Sequence, residues 1–423
     1  MPYTISSSGY YKVTASISNG TATALAINAD NVVVDGQNYL INGLDSGSTY
    51  AIAVQTNRAN IIIFNINTTR EHQSMVVYSG VHNLLVDNWT TGSEGYSTIE
   101  FQQNCYNFTI QNCNIGSTGG PSINTGSGCY DFYIRNNTIT NTTLAAIETY
   151  ISSSATVTNN TIQGAQFGIK FSTNTSNSVA SSNNITNCQY GLGLYGTTNT
   201  SIYNNFLNNN NTLYEDGTTR NTYFNTSRQQ GTRIYTNGGY IGGNYWAAPS
   251  NTGVSQTVTD NDGNGFIDIV YNVSGSICDY LAYSGNATAF TITSTADPHS
   301  TISPSGNTTI YYGASQAYTF SANANYDVKN LTVDGSSAST TSPYTFNPVT
   351  ANHTISVYSE ASVTPTTTAS DGSSGSSGSS GHKTPSPTDV LTSTKTEDYT
   401  LLYIVIAGAG IAVLLAFIFK RKH

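Results

Sequence analysis

The residues best spaced to do chemistry are Asp260-Asn261-Asp262-Gly263-Asn264-Gly265-Phe266-Ile267-Asp268. Side-chain oxygens at alternate positions, a glycine at the sixth for a sharp bend, a backbone carbonyl at Phe266 and a carboxylate at the ninth match the first part of an oxygen-ligand loop for Ca2+. The twelfth position, where a bidentate carboxylate would complete the shell, is Tyr271. A final ligand must then come from elsewhere, with Asp279 the candidate, and the metal-free alternative is an ordinary Asp/Asn/Gly turn. The expected job of bound Ca2+ is structural: a staple at the end of the preceding element.

A second group of candidates has meaning only if the chain stacks in register, and a repeat says that it does. The first residue of each step falls at Asn65, Asn88, Asn112, Asn136, Asn159, Ser182 and Asn204. A period of about 23 residues, with short apolar strands between Asn and Gly punctuation, is the pattern of a β-solenoid. The reading is all-β: a parallel β-helix of about nine turns over 31–287, preceded by cap strands in 1–30. Asn tolerates the left-handed backbone of a tight corner, so these Asn are expected to form an inward-pointing ladder, including Asn136 and Asn159.

One strand set runs Ile52–Val54, Met75–Val77, Ile99–Phe101, Ile123–Thr125, Ile147–Thr149, Ile169–Phe171, Leu192–Leu194, Leu213–Glu215 and Ile234–Thr236. Alternation makes the named ends inward and the middle residues outward. The outward column then reads Val76, Glu100, Asn124, Glu148, Lys170, Gly193 and Tyr214, with Gln102, Tyr150 and Tyr195 on the next. Three readings are open. Glu148 and Lys170 form an ion pair on a solvated face; or Glu100, Gln102, Glu148, Tyr150, Lys170 and Tyr195 form a shallow carbohydrate-binding strip in which tyrosines stack on sugar rings. The third is catalysis, since Glu100 and Glu148 are two rungs, about 9.6 Å, apart, near the upper limit for an inverting carboxylate pair. The Asp-rich cluster with an Arg or Lys base that a lyase needs, and the close acid trio of a hydrolase, are missing from the pattern.

Composition sets the context. Charged residues are 9% of the chain and the net charge is −9, which leaves no basic surface for nucleic acid. Residues 288–360 read as a small β-sandwich-like module, and 361–398, rich in Ser, Thr, Pro and Gly, as a disordered stalk. Leu401–Phe419 is an uncharged run followed by Lys420-Arg421-Lys422. That is long enough for one transmembrane helix with a cytoplasmic basic tail, making 399–423 a membrane anchor and placing the rest at the cell surface. Met1-Pro2-Tyr3 lacks the features of an export signal, so a signal is expected to be missing from this sequence.

The sequence Gly242-Gly243-Asn244-Tyr245-Trp246, then the Asp-rich loop and Asp279-Tyr280-Leu281, resembles the closing segment of NosD-like right-handed parallel β-helix proteins with the pectate-lyase type of fold, especially archaeal cell-surface members. The resemblance implies that fold over 31–287, while Ser303-Pro-Ser-Gly-Asn and Val333-Asp-Gly are similar to the small β-repeats of surface proteins. The family also implies copper. Copper prefers clustered His, Met or Cys, whereas this chain has two Met and scattered His72, His82, His299, His353, His382 and His423, so no copper is expected.

The remaining expectations are peripheral. Cys105 and Cys129 occupy matched places one turn apart and form either a disulfide or a stacked thiol pair. Asn67, Asn141, Asn174, Asn225 and Asn286 are glycosylation candidates in N-x-S/T sequons. The function expected is that of a membrane-anchored structural or adhesive surface protein that contacts glycans or neighbouring proteins, or self-assembles laterally. The alternative is a surface polysaccharide lyase or glycoside hydrolase on the same scaffold.

Overall fold

The computed structural model describes residues 3–18, 23–42, 50–69, 72–92, 94–236, 238–285 and 288–362, and the backbone alone of 399–408 and 411–420. The chain is all-β, with one short helix, Val254–Thr257, among the described residues. Parallel strands stack turn on turn into a β-helix of about nine turns with three faces. The first face is a sheet of ten strands from Tyr3–Ile5 to Asn211–Glu215. The second runs from Gly9–Lys12 to Arg220–Tyr223, and the third from Ile17–Ser18 to Tyr245–Ala247.

Strand alternation explains the core. Ile52, Val54, Met75, Val77, Ile99, Phe101, Ile123, Ile147, Ile169, Phe171, Leu192 and Leu194 are fully buried, each stacked on its like one rung away. Phe101, Phe108 and Phe132 continue the stacking inside, with ring centroids 3.9 and 4.7 Å apart. Such stacking of apolar side chains, each worth about 1.5–3 kcal/mol on burial, is what holds a rod that each turn alone could not sustain.

The corners explain the Asn repeat, and correct one expectation. Asn65, Asn88, Asn112, Asn136, Asn159, Ser182 and Asn204 all have φ between 51° and 57°, the left-handed region that Asn enters at low cost. Asn136 and Asn159 are nevertheless exposed, and it is the residue after each that points inward. Asn137, Asn160, Asn183, Asn205 and Asn244 are at most 1% exposed, and each of the first four donates its amide to the next down the axis at 2.9–3.0 Å. A strand that turns through a left-handed residue loses its ladder bonds at that point. Each buried amide replaces them, accepting from a backbone N–H of the preceding turn and donating to a carbonyl such as Ile134 O or Val157 O.

Two further expectations change. Tyr3–Ile5, Gly9–Lys12 and Ile17–Ser18 do not cap the rod; each pairs in parallel with the following turn, so together they are its first rung. Ile234–Thr236 does not extend the first face, because the strand set ends at Asn211–Glu215 and the 231–236 segment is irregular, with Tyr235 against Phe206 and Tyr245. The backbone of Tyr399–Gly408 pairs antiparallel with that of Ile411–Lys420, and no helix among the described residues is long and apolar enough to cross a membrane.

Ala289–Ala361 builds five-stranded and three-stranded sheets around Ile292, Tyr318, Leu331, Val349, Ile355 and Val357. It meets the rod through Gly239 N–H donating to Tyr312 O at 3.1 Å and Gln230 Nε2 to Asn347 Oδ1 at 2.8 Å. Rod and sheets belong to one compact unit; residues 364–423 form another. Of the stalk expected over 361–398, residues 363–398 lie outside the described residues.

Candidate functional site

Strand register sets the first-face column. Val76, Glu100, Asn124, Glu148, Lys170, Gly193 and Tyr214 are direct partners in successive strands. Lys170 Nζ lies 2.9 Å from Glu148 Oε1, which also accepts from Ser172 Oγ at 2.8 Å. Both side chains are half-buried because aromatic rings surround them: Lys170 sits 5.1 Å from the Tyr195 ring and 5.6 Å from Phe167. Phe167 stacks on Tyr190 at 5.2 Å, and Tyr195 on Tyr214 at 5.1 Å. Gly193 lies between them, where a Cβ would come within 2.8 Å of Phe167. The rings therefore close over the ion pair because this rung carries no side chain.

The other candidates spread along the same face. Glu100 accepts from Gln73 Nε2, and Gln102 is half-buried. Tyr150 is 43% exposed. Burial, then the neighbouring Tyr214, Asp216 and Glu148, raises the pKa of Tyr195 and keeps it a neutral hydroxyl at physiological pH. Glu100 and Glu148 are separated by Asn124 on one flat face, and Glu148 is already neutralised by Lys170. The column thus joins aromatic faces, an amide and balanced charge, which suits binding of a polyhydroxylated ligand.

The acidic loop brings Asp260, Asp262 and Asp268 within 4.8 Å of one another. Asp260 accepts from Asn264 and Gly265 N–H, Asp262 from Asn264 N–H at 3.0 Å, and Asp268 from Asn261 N–H at 2.6 Å. Burial, followed by the repulsion of Asp262, raises the pKa of Asp260, while the Asn264 N–H lowers that of Asp262. Asn264 Oδ1 is turned to Phe266 N–H, and the Phe266 ring is buried. The oxygen set is hard, as Ca2+ requires.

Asp279 is not part of it. It is fully buried at the foot of the Asn ladder, accepting from Asn244 N–H at 2.8 Å, Trp246 Nε1 at 2.7 Å and Leu281 N–H at 2.9 Å. Burial pushes its pKa up to about 6 against these hydrogen bonds. The Gly-Gly-Asn-Tyr-Trp and Asp-Tyr-Leu sequences meet here, so Asp279 is the terminus of the ladder.

Cys105 and Cys129 are both thiols, buried on adjacent rungs; their mutual hydrogen bond lowers the pKa of Cys105 and raises that of Cys129. Asn141 and Asn174 are exposed corner residues with φ 56° and 59°. Asn67 is half-buried and donates to Asn38 O, and Asn225 accepts from Tyr280 N–H. Asn286 lies outside the described residues.

Copper has no fitting donor set among the described residues. His72, His82 and His299 each stack on a tyrosine, His353 pairs with Asp334 at 2.7 Å, and Met75 is fully buried in the core. The cluster of metal-type donors is the all-carboxylate one at 260–268.

The inner Asn ladder and Arg233 were not singled out from the sequence. For the ladder the signal is present as the doublets Asn136-Asn137, Asn159-Asn160 and Asn204-Asn205, in which two residues of one type have opposite directions. Arg233 carries no such pattern, since it lies in an irregular segment.

Among solved structures, the chain is similar to tailspike protein 2 of bacteriophage CBA120, with a TM-score of 0.41 at 11% identity, covering 79% of this chain and 62% of that one. Similarity extends to DFA-IIIase from Arthrobacter chlorophenolicus A6 in complex with GF2, with a TM-score of 0.38 at 11% identity over 48% of this chain and 66% of that one. A mutant tailspike protein of the E. coli bacteriophage HK620, in complex with a pentasaccharide, gives 0.33 at 10% identity over 51% and 58%. The chain thus spans about three-fifths of the length of these proteins. No curated protein matches it. The family model for NosD, described as a periplasmic copper-binding protein, matches residues 26–251, more than half of the chain, and with its stacked parallel turns this protein belongs to the NosD family.

Proposed function

We propose that this protein is a membrane-anchored cell-surface adhesive rod that holds glycans along its first face. The observation that carries the reading is the ring cluster of Phe167, Tyr190, Tyr195 and the exposed Tyr214 around the Lys170–Glu148 pair, with Tyr150 also exposed on the same face. Ring faces offer stacking area for pyranose C–H groups, while Glu100, Gln102 and the paired charges meet hydroxyls. Binding of the full-length protein to a glycan array tests this. Glu148→Ala and Tyr195→Ala are expected to remove the strongest signals; unchanged signals in both would rule out the strip.

The anchor rests on the 19-residue run from Leu401 to Phe419, of which every member is uncharged. A lone two-stranded hairpin in lipid leaves its outer N–H and C=O groups without partners, whereas a helix satisfies them within itself. In a bilayer the run is therefore helical, the basic end cytoplasmic and the Ser/Thr-rich stalk outside. Protease accessibility in intact cells tests the orientation: the rod is digested and the C-terminal tail protected.

Ca2+ is proposed as a structural ion held by Asp260, Asp262, Asn264 and Asp268 with the Phe266 carbonyl. Bound there, it would offset most of the charge of three carboxylates that are otherwise held together by backbone N–H groups and the Asn264 amide. Lateral self-assembly of rods on the envelope is compatible with the same surface and would show as ordered rows in electron cryotomography.

A further inference from the structure

The outer surface of the first face carries a second group of rings, four rungs before the cluster at Lys170. Tyr50 and Gln73 are direct partners at the start of adjacent strands, and Tyr78 follows the end of the second of these. Tyr50 and Tyr78 hydrogen-bond to each other. A bond that joins opposite ends of the two strands has to cross the outer face. Ala53 and Val76, which alternation points outward, are accordingly only 2% exposed. Gln73 reaches along the axis and donates to Glu100 on the next rung, beside Val76. Beyond Glu100 the rung of Asn124 is flanked by Pro121 and Gly126, so the face dips between its two groups of rings.

Glu100 is the group in this dip whose charge is unmet. Burial, then Tyr78 and Glu100, raises the pKa of Tyr50, which sets the carboxylate beside the rings. Gln73 gives Glu100 an amide N–H and no charge, and none of the ion pairs among the described residues includes it. Asp216, beside Tyr195, is likewise outside those pairs. Of the three carboxylates Glu100, Glu148 and Asp216, Glu148 alone is offset by a cation. Tyr50, Tyr78, Glu100, Gln102 and Asn124 are each half-buried and keep a surface that a ligand can reach. A partly desolvated carboxylate attracts a cation more strongly than one in open water, and tyrosine faces add to that attraction.

We propose that the first face selects a glycan built of amino sugars with free ammonium groups, one of which is held by Glu100 beside Tyr50 and Tyr78. The inference rests on the strip reading above and names its ligand. An acidic sugar is repelled by Glu100 and Asp216, and a neutral one leaves both carboxylates unmatched. Lys170 does not oppose an ammonium, because Glu148 already neutralises it. Asn124 and Gln102 add the amides that the sugar hydroxyls can meet.

Calorimetric titration of the full-length protein in detergent micelles, at mildly acidic pH, tests the assignment. The probes are a glucosamine tetrasaccharide, its N-acetylated form and cellotetraose. The amino form is expected to bind at least about tenfold tighter than the other two. Glu100→Gln keeps an acceptor for Gln73 and should bring the three affinities together without lowering the melting temperature. Asp131→Asn removes the same charge from an exposed position on the second face. It should leave the preference intact, which separates a site from the general pull of an acidic protein on a polycation. Equal binding of the three saccharides, a preference that survives Glu100→Gln, or one that Asp131→Asn lowers as much would overturn the ammonium assignment and leave the strip in place. Failure of the wild type to bind any of the three would overturn the strip with it.

Discussion

Asn183→Ala removes the central amide of the inner ladder, and the structure gives the size of the effect. The Asn183 side chain donates to Val157 O and Asn205 Oδ1 at 2.9 Å and accepts from both the backbone and the side chain of Asn160 at 3.0 and 2.9 Å. After truncation Asn160 Nδ2 keeps Ile134 O, and Asn205 Oδ1 keeps the Asn183 N–H. The Asn160 N–H and the Val157 carbonyl lose these side-chain bonds in a site that is 0–1% exposed. At roughly 1–3 kcal/mol for each buried group left unpaired, the loss is about 4 kcal/mol. For a unit that runs from Met1 to Val363 that is a fall of roughly 5 °C in melting temperature. Asn159→Gly is the control, because this exposed corner needs only left-handed freedom, and it should change stability by less than about 0.5 kcal/mol. Both can be followed by fluorescence, as Trp89 and Trp246 are the two tryptophans of the chain and both are buried. Equal losses in the two variants, or a loss under about 1 kcal/mol in Asn183→Ala, would refute the division into inner ladder and outer corner.

Other expectations follow from individual groups. Burial holds the Asp279 carboxyl at about 6, above its ordinary 3.8, so the folded state keeps this proton longer than the unfolded chain does. Its contribution to stability is present in full below about pH 4 and lost as pH rises through about 6. The stability of wild type relative to Asp279→Asn should thus fall by up to about 3 kcal/mol between about pH 4 and 7, and a flat difference would count against it. Thiol labelling of the native protein should modify Cys278 alone, because Cys105, Cys113, Cys129 and Cys188 are buried; fast modification of Cys105 contradicts the packing. A double-mutant cycle on Glu148 and Lys170 should give a coupling of about 1 kcal/mol, and zero coupling would make the pair a surface contact with no role in the cluster. Removing Ca2+ with a chelator should lower the melting temperature of wild type and leave Asp262→Asn unmoved; no change in wild type would dismiss the ion.

Much of the fold was legible because a solenoid writes its register into the sequence. The apolar residues of one strand set recur every turn, so Glu100, Asn124, Glu148 and Lys170 align by spacing alone, and the strands pair them one on one. The direction of the Asn doublets was not legible, since both members are polar and the deciding quantity is which one takes φ near 55°. The same holds for Asp279. It was the candidate for the ligand that Tyr271 fails to supply, but a carboxylate next to a buried indole and the last ladder amide is held there by Trp246 and Asn244, residues far from it in sequence. Arg233 was hidden because the segment around it follows no period.

Stacking also says where on the rod function is to be sought. A column that only has to keep register repeats one residue type, as the corner Asn do from Asn65 to Asn159 and the inner amides do from Asn137 to Asn244. Nothing in the geometry asks an outward column to vary, because any side chain that tolerates a strand will do. The first-face column nevertheless runs through valine, glutamate, amide, glutamate, lysine, glycine and tyrosine, and the third-face column changes from Asn114, Thr138 and Thr161 to Asn184 and Phe206. In both, the point of change is where other groups gather: the rings around Lys170 and Gly193, and the irregular segment at Arg233. Variation that the scaffold does not need, placed where side chains converge, is the physical reason for seeking the glycan site on the first face, around Lys170 and Gly193.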